Sequence, residues 1–391
     1  MKIGLVLSKP PAYSETFFNN KIKGLQEAGY KVVLLVQNDN ASFSLCETKK
    51  APKVYKRSYI QLFKSLWVFI TLLPYSKRLV RFYRLEIAAK RSKIQILKNC
   101  YNNAHLLKAN VDWLHFGFGT LALQSEHVAK AINAKFAVSF RGFDVDVYPL
   151  KHPNCYKLLW TKVDKVHGIS KYILGKAKTF GLPGHVPTEI ITPAIDTQLF
   201  DNKVEILPKP ESTLYFLTVG RLHWIKGFIE TLEALAQLKQ NGIKFNYIII
   251  GEGQEFEPIK FAAHQLNIYD EVKLIGKQAH KRVVEYMAQA DLYLQYSYSE
   301  GFCNAVLEAQ AMGCLCVVSD GGGLTENILH GQTGWVVPKR NPKALAEKIK
   351  EVINLPEDEK VRIAKQARQR VKDQFNLTKH HREWLEFYQN G

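Results

Sequence analysis

The 391-residue sequence has no uninterrupted apolar run approaching the 18 or so residues that a spanning helix needs, so none is expected. The opening MKIGLVLSKPP has too short an apolar stretch for a secretory signal. Cysteine is sparse and scattered, at Cys46, Cys100, Cys155, Cys303, Cys314 and Cys316. Only the last two are close, and they alternate with apolar residues in the strand-like CLCVVS. No zinc site or disulfide framework follows from that spacing, and a reducing cytosol is expected. The G-x-G-x-x-G fingerprint is missing after the first strand-like run, which weakens a dehydrogenase reading. Acid is nearly absent from one stretch. Lys49 to Lys108 holds fifteen Lys and Arg against one acid, Glu86, so most of the formal charge of +18 lies there. Such charge can suggest nucleic acid, but no RNA-module aromatic signature or helix-turn-helix pattern accompanies it, and no nucleic-acid partner is expected.

What is present is a regular alternation of strands and helices. KIGLVLS (2–8), a helix-like stretch ending at Gly29, and KVVLLVQ (31–37) make a β-α-β opening, the sign of a parallel sheet. Strand-like segments recur at 111–116, 134–140, 165–170 and 189–194. Residues 202–213, with two prolines and no periodicity, read as a linker. A second series follows at 213–220, 244–251, 271–276, 291–296 and 314–320. The expected architecture is α/β, two tandem Rossmann-like, doubly wound parallel sheets: a domain over 1–205, a second over 206–375, and a terminal amphipathic helix within 376–391. In the basic segment, Leu62, Leu66, Phe69, Ile70 and Leu73 recur at helical spacing before Pro74. Lys77, Arg81, Arg84 and Arg91 then form a basic stripe. Two readings stand: an interfacial helix pair facing anionic lipid, or a buried first helix and a solvated second.

The chemistry concentrates in the second series. SEGFCNAVLEAQAMG (299–313) places Glu300 in a loop after a strand and Glu308 in the helix that follows. Both carboxylates can face the crevice at the strands' carboxyl ends, where ligands sit in open α/β sheets. A carboxylate accepts from vicinal hydroxyls of a sugar or ribose, and the helix N-terminus offers N–H groups to an anion. VGRLHWIKG (219–227) puts Arg221 and Lys226 beyond another strand, suited to a pyrophosphate. GEG, with Gly251 and Gly253, and the Gly321–Gly323 run also follow strands; tight turns explain them as well.

VGRLHWIKG, GEG, EGFCNAVLEAQAMG, SDGGGLTENI and GQTGWVVP, over roughly Thr213 to Pro338, resemble the donor-binding half of glycosyltransferase family 4, with the GT-B fold of two such domains facing across a cleft. The first half matches more loosely, through SETF near Ser14, HFG at His115, VHGISKYI and ITPAIDTQLF. SETF and HFG are similar to the colanic-acid-type branch that builds extracellular polysaccharide or lipopolysaccharide. The resemblance implies a retaining transfer from a nucleotide-diphosphate sugar to a glycan or lipid-linked glycan, with no cofactor and no obligatory metal. It assigns Arg221 and Lys226 to the donor phosphates, Glu308 to the ribose and Glu300 to the donor sugar, with Gly301, Phe302, Cys303 and Asn304 beside them and Lys277, after Gly276, near the base. It also implies that the terminal helix crosses back to the first domain.

One departure stands out. Where relatives carry a first-domain histidine, this chain has SFRGFDVD, with Arg141 in its place and Asp144 following. His115 is a candidate for the vacant role, or a core histidine beside Trp113 and Phe116. Arg141 either pairs with Asp144 or meets an anionic group of sugar or acceptor. The acceptor is expected on the first domain, whose 49–108 segment suits an anionic membrane surface and a cytoplasmic, peripheral location. A GT-B sugar-nucleotide epimerase, a non-catalytic sugar-nucleotide sensor and a non-enzymatic anionic-surface or nucleic-acid-binding protein are the alternatives.

Overall fold

The computed structural model describes residues 1–11, 16–38, 43–200 and 213–390. Ser14 and the 202–213 linker, apart from Thr213, lie outside them. Two compact units result: Met1–Ile191 with His380–Gly391, and Thr192–Lys379.

The first unit carries β1 to β7: Lys2–Leu7, Lys31–Val36, Glu47–Lys50, Trp113–Phe116, Lys135–Phe140, Lys165–Gly168 and Thr188–Ile190. They pair in the order β3-β2-β1-β4-β5-β6-β7, every pairing parallel. The second carries β8 to β13: Leu214–Val219, Phe245–Ile250, Val272–Leu274, Leu292–Gln295, Leu315–Ser319 and Trp335–Val337. Their order is β10-β9-β8-β11-β12-β13, again all parallel. Helices cover both faces of such sheets, which is why central strands such as KVVLLV and LCVVS are almost wholly apolar and buried. The order reverses between β1 and β4 in one sheet and between β8 and β11 in the other. Crevices open at those switch points, beyond the strands' carboxyl ends.

Three strands depart from expectation. β3, ETKK, has no apolar run because it is an edge that pairs only with β2. β7 is shorter and earlier than residues 189–194 suggested, and β13 is three residues between Gly334 and Pro338.

In the first unit, α1 spans Thr16–Glu27, α2 Ser58–Leu72, α3 Ser76–Ala88 and α4 Lys93–Asn102. A buried first basic helix is not what forms. Only Leu72 of α2 is buried, while Leu62, Phe63, Leu66 and Trp67 are each more than 60% exposed. Inward space beside these helices is taken instead by a polar cluster. Glu86, the segment's one acid, is fully buried and accepts from Arg91, from Asn99 Nδ2 at 2.6 Å and from His127 Nδ1 at 2.6 Å.

The terminal helix, Leu377–Gln389, packs Trp384, Phe387 and Tyr388 into the core around Ile3, Leu5 and Trp113. Behind it a hydrogen-bonded chain crosses three strands. Tyr388 donates to His115 Nδ1 (2.6 Å), His115 Nε2 lies 2.8 Å from Ser139 Oγ, and Ser139 Oγ lies 2.8 Å from His167 Nδ1. His167 Nε2 donates to the Ile191 carbonyl (2.9 Å), which fixes the donor at every step back to Tyr388. The Lys21 Nζ sits 3.2 Å from His115 Nδ1 and 3.3 Å from the centre of the Trp384 ring.

Burial lowers the pKa of His105, His115, His167 and His380, to about 4 for His105 and about 3 for His380. An unfolded chain takes up protons near pH 6.5 and the folded unit does not. Stability from these groups is therefore fully present above that pH and declines as pH falls toward the folded values. The urea midpoint should fall between pH 7 and pH 5, and fall less steeply in a His105→Gln/His380→Gln variant. Equal slopes would show that these rings do not govern acid sensitivity.

Candidate functional site

Three loops of the second unit meet beyond the carboxyl ends of β8, β11 and β12. The first runs from Gly220 through a 3₁₀ turn at Trp224–Lys226 into the helix Phe228–Gln240. It is braced from below by the loop after β9. Gly251, at φ +150°, lies so close to the Gly220 carbonyl that a Cβ would stand 1.8 Å from its oxygen, so no other residue fits. Gly253 rests against the Leu222 carbonyl, and Leu222 N–H donates to the Glu252 carbonyl at 2.9 Å. The loops after β11 and β12 join through Glu300 N–H to the Gly321 carbonyl (3.1 Å) and Gly323 N–H to the Glu300 carbonyl (2.7 Å). A side chain at 323 would collide with the Gly301 carbonyl, 2.0 Å from an ideal Cβ. Tyr298 N–H then ties this pair of loops to the first, through the Ile225 carbonyl at 2.8 Å.

Within this frame Lys226 Nζ forms an ion pair with Glu300 Oε1. Ser297 Oγ donates to the same oxygen at 2.9 Å, and Gln295 Nε2 stands 3.5 Å away. Gln295 is itself held by Ser297 Oγ (2.8 Å) and by Tyr293 Oη (3.1 Å), whose hydroxyl reaches the Val219 carbonyl at 3.2 Å. Burial works against charge on Lys226, but Glu300 outweighs it and the pKa is raised; Arg221 acts on the ammonium in the opposite sense. The Arg221 side chain is exposed. One loop thus presents two cations, one anchored by Glu300 and one turned to solvent.

The helix Asn304–Met312 starts with no side-chain cap, leaving first-turn N–H groups for an anion. Phe302 turns inward against Phe375, and Cys303 is clamped by Asn327, whose side chain accepts from its N–H (3.0 Å) and donates to its carbonyl (3.1 Å). Burial and the Glu300 charge push the Cys303 thiol up to about 12, so it is no thiolate. Glu308, one turn into the helix, has its Oε1 3.6 Å from His280 Nε2. Lys277 is exposed beyond β10, after Gly276 at φ +69°. Sequence reasoning missed Tyr293, Gln295, Ser297, His280 and Asn327. Gln295 and Ser297 carry a usable signal, as polar residues at and just beyond the end of an apolar strand.

The first-unit candidates divide differently. His115 is fully buried with both ring nitrogens engaged, so it serves the core and not a sugar. Asp144 is likewise buried: it accepts from the Thr120 N–H and Oγ1 and from the backbone N–H of Arg141, not from its guanidinium. That guanidinium stacks 3.8 Å from the Phe17 ring centre. Among the described residues no group of three or more His, Cys, Asp and Glu gathers as a metal site.

Residues 200–370 match the family model described as glycosyl transferases group 1. The amylovoran biosynthesis glycosyltransferase AmsK of Erwinia amylovora is 26% identical, with 96% of each chain aligned. The N,N'-diacetylbacillosaminyl-diphospho-undecaprenol alpha-1,3-N-acetylgalactosaminyltransferase of Campylobacter jejuni is 28% identical, over 94% of this chain and 93% of its own. Among solved structures, Anabaena HepE in complex with UDP and glucose superposes over the whole of both chains with a TM-score of 0.74 at 16% identity.

The nearby Glu308 carboxylate raises the His280 pKa above its ordinary 6.5 against the opposing effect of burial. The pair therefore contributes stability that is present below pH 6.5 and is lost as pH rises through the His280 value. In Glu308→Gln the His280 ring should titrate at lower pH, read from its imidazole proton shifts. An unmoved titration would break the pairing.

Proposed function

From a chain that belongs to the group 1 glycosyltransferases, built on the GT-B fold, we propose a retaining transferase that moves a sugar from a nucleotide-diphosphate sugar to a glycan or lipid-linked glycan. The products would be cell-surface polysaccharide or lipopolysaccharide. The names of the relatives in Erwinia and Campylobacter support that acceptor class. The observation that carries the reading is the Lys226–Glu300 pair beside Arg221 and an uncapped helix start.

In this reading Arg221 and Lys226 take the donor diphosphate and meet the charge that grows on it as the glycosidic bond breaks. Glu308 holds the ribose hydroxyls, oriented by His280. Glu300 faces the sugar and favours positive charge at the anomeric carbon, while Ser297 and Gln295 keep its carboxylate in place. Gly301 to Asn304 supply backbone groups rather than side chains, and Gly276 and Lys277 lie where a base would stack. The acceptor oxygen attacks the face that the leaving phosphate departs from. Its proton passes to that phosphate oxygen, so no protein nucleophile and no metal is required. Fixed charges then supply most of the rate enhancement, and removing one such group costs about 100- to 1,000-fold.

The same reading places the enzyme at the inner face of a membrane. The solvent side of residues 49–108 has no acid, because Glu86 is buried. Tyr59, Leu62, Phe63, Leu66, Trp67 and Ile70 line α2 at helical spacing and are all exposed. An apolar stripe with cations around it suits an anionic bilayer surface. No helix among the described residues is long and apolar enough to cross a membrane.

Incubation with UDP-, GDP- and ADP-sugars, with and without a glycan acceptor, should give acceptor-dependent nucleotide release, which Lys226→Ala lowers by about 100- to 1,000-fold while folding is kept. Release of an altered sugar nucleotide without acceptor would make the protein an epimerase; undiminished turnover would remove Lys226 from the site.

The chain should also pellet with phosphatidylglycerol vesicles at low salt and be progressively released as salt rises. A Leu66→Glu/Trp67→Glu variant should bind less at every salt concentration. Unchanged binding after neutralising the lysines and arginines of 49–108 would defeat the membrane assignment.

A further inference from the structure

The first unit contains a cavity of about 700 Å³ at the switch point of its sheet. Its floor comes from the carboxyl ends of β1 and β4, at Val6 and Phe116, and its walls from Gln37 and Asn38 after β2, Lys50 to Val54 after β3, the end of α4, and Gln124. Among the described residues the lining contains no acid. It contains six carboxamides, at Gln37, Asn38, Asn99, Asn102, Asn103 and Gln124.

The inner amides are held in place. Gln95 Nε2 donates to both Asn99 Oδ1 (2.7 Å) and Gln124 Oε1 (2.8 Å), and Asn99 Nδ2 donates to the buried Glu86. Asn103 Nδ2 donates to the Gln124 carbonyl, and its Oδ1 accepts from Ser125 Oγ. Gln124 is held at φ +65°, a conformation that a glutamine adopts at a cost. His105 lines the same space, and neither of its buried ring nitrogens completes a hydrogen bond. Its neutral ring offers one donor and one acceptor. The Asn102 backbone acts on the ring as an acceptor outside good hydrogen-bond geometry, and the other nitrogen is left for a ligand to satisfy. Lys50 and Lys53 are exposed at the rim, within reach of an incoming ligand.

Carboxamides donate and accept at once, as sugar hydroxyls do, and Val6, Leu106 and Leu121 offer apolar surface to a pyranose ring. We propose that this cavity is the acceptor subsite for a hexopyranose bearing an anionic substituent, its ring held by the amides and by His105 and its anion by Lys50 and Lys53. The anion is either a carboxylate of the sugar or a phosphate linked to it. The assignment rests on the reading of the chain as a transferase with a glycan acceptor, and it names the acceptor's chemistry.

Saturation-transfer NMR on the full chain tests it with three probes: methyl β-D-glucuronide, glucose 1-phosphate and the neutral methyl β-D-glucoside. At least one anionic probe should bind about threefold or more tighter than the glucoside. Preference for the glucuronide assigns the anion to the sugar, and preference for the phosphate assigns it to the carrier linkage. Lys50→Gln/Lys53→Gln and Asn102→Asp, all at exposed positions, should erase the margin. Gln124→Gly suits the backbone conformation while removing the amide, and should lower binding of all three probes. Saturation unchanged in Gln124→Gly, or equal binding of neutral and anionic probes, overturns the proposal. Nucleoside diphosphate binding, followed by thermal shift, should be the same in every variant. Its absence from the unaltered chain would count against the donor site alone.

Discussion

The candidate site of the second unit depends on one partly buried ion pair. An ammonium removed from water is destabilising unless a negative partner and further hydrogen bonds replace its hydration. Lys226 has that partner in Glu300, and Glu300 in turn has Ser297 and Gln295. The pair also explains why the surrounding loops are so tightly specified. Lys226 follows β8 and Glu300 follows β11, so the ammonium and the carboxylate meet only if both loops keep their courses. Backbone hydrogen bonds at Ile225, Gly321 and Gly323 enforce those courses, and glycines allow the approach. With Lys226 held charged, its cation is present before any anion arrives. In the proposed transfer that would be preorganisation, since no rearrangement would be needed as phosphate charge develops.

Charge is handled the opposite way in the first unit. There the lone acid of the basic segment is withdrawn into the interior, where Arg91, Asn99 and His127 satisfy it. Burying Glu86 ties α3, α4 and the residues near 126 together, since Arg91 also reaches Glu126 at 2.8 Å. It also leaves the solvent side of residues 49–108 without an acid of its own. The same acid braces, through Asn99 and Gln95, the amides that line the cavity at the switch point. A single carboxylate thus supports both an uninterrupted basic exterior and an ordered polar interior.

Much of this was legible in the sequence. Apolar runs bounded by glycine located eleven of the strands, and the tandem parallel architecture followed from their alternation with helices. Arg221, Lys226 and Glu300 stood out as charged residues beyond strand ends, and Glu308 as one in the helix that follows. Missed features had reasons that lie outside local pattern. β3 is held by backbone pairing and has no apolar signature, so ETKK looks like loop. The stripe on α2 has the spacing of a buried face, and only the course of the chain shows that no described residue of the first unit covers it. His115 and Asp144 carry the residue types of a site, yet their environment makes them core groups. A residue's type reports what it can do, while burial decides whether it meets a ligand.

Arg141 shows how far that distinction reaches. Its guanidinium is a cation that stacks on Phe17 and lies near Phe18 and Phe118. Its charge lowers the proton affinity of Lys21, His115, His167 and His380, in each case adding to burial. A fixed guanidinium beside four bases favours their neutral forms. Neutral rings are what the chain from Tyr388 to the Ile191 carbonyl requires, since a protonated His115 could not accept from Tyr388 through Nδ1. The arginine therefore helps to hold the terminal helix against the sheet without touching it through a hydrogen bond. Electrostatics at one position thereby supports the packing of an element more than two hundred residues away in sequence.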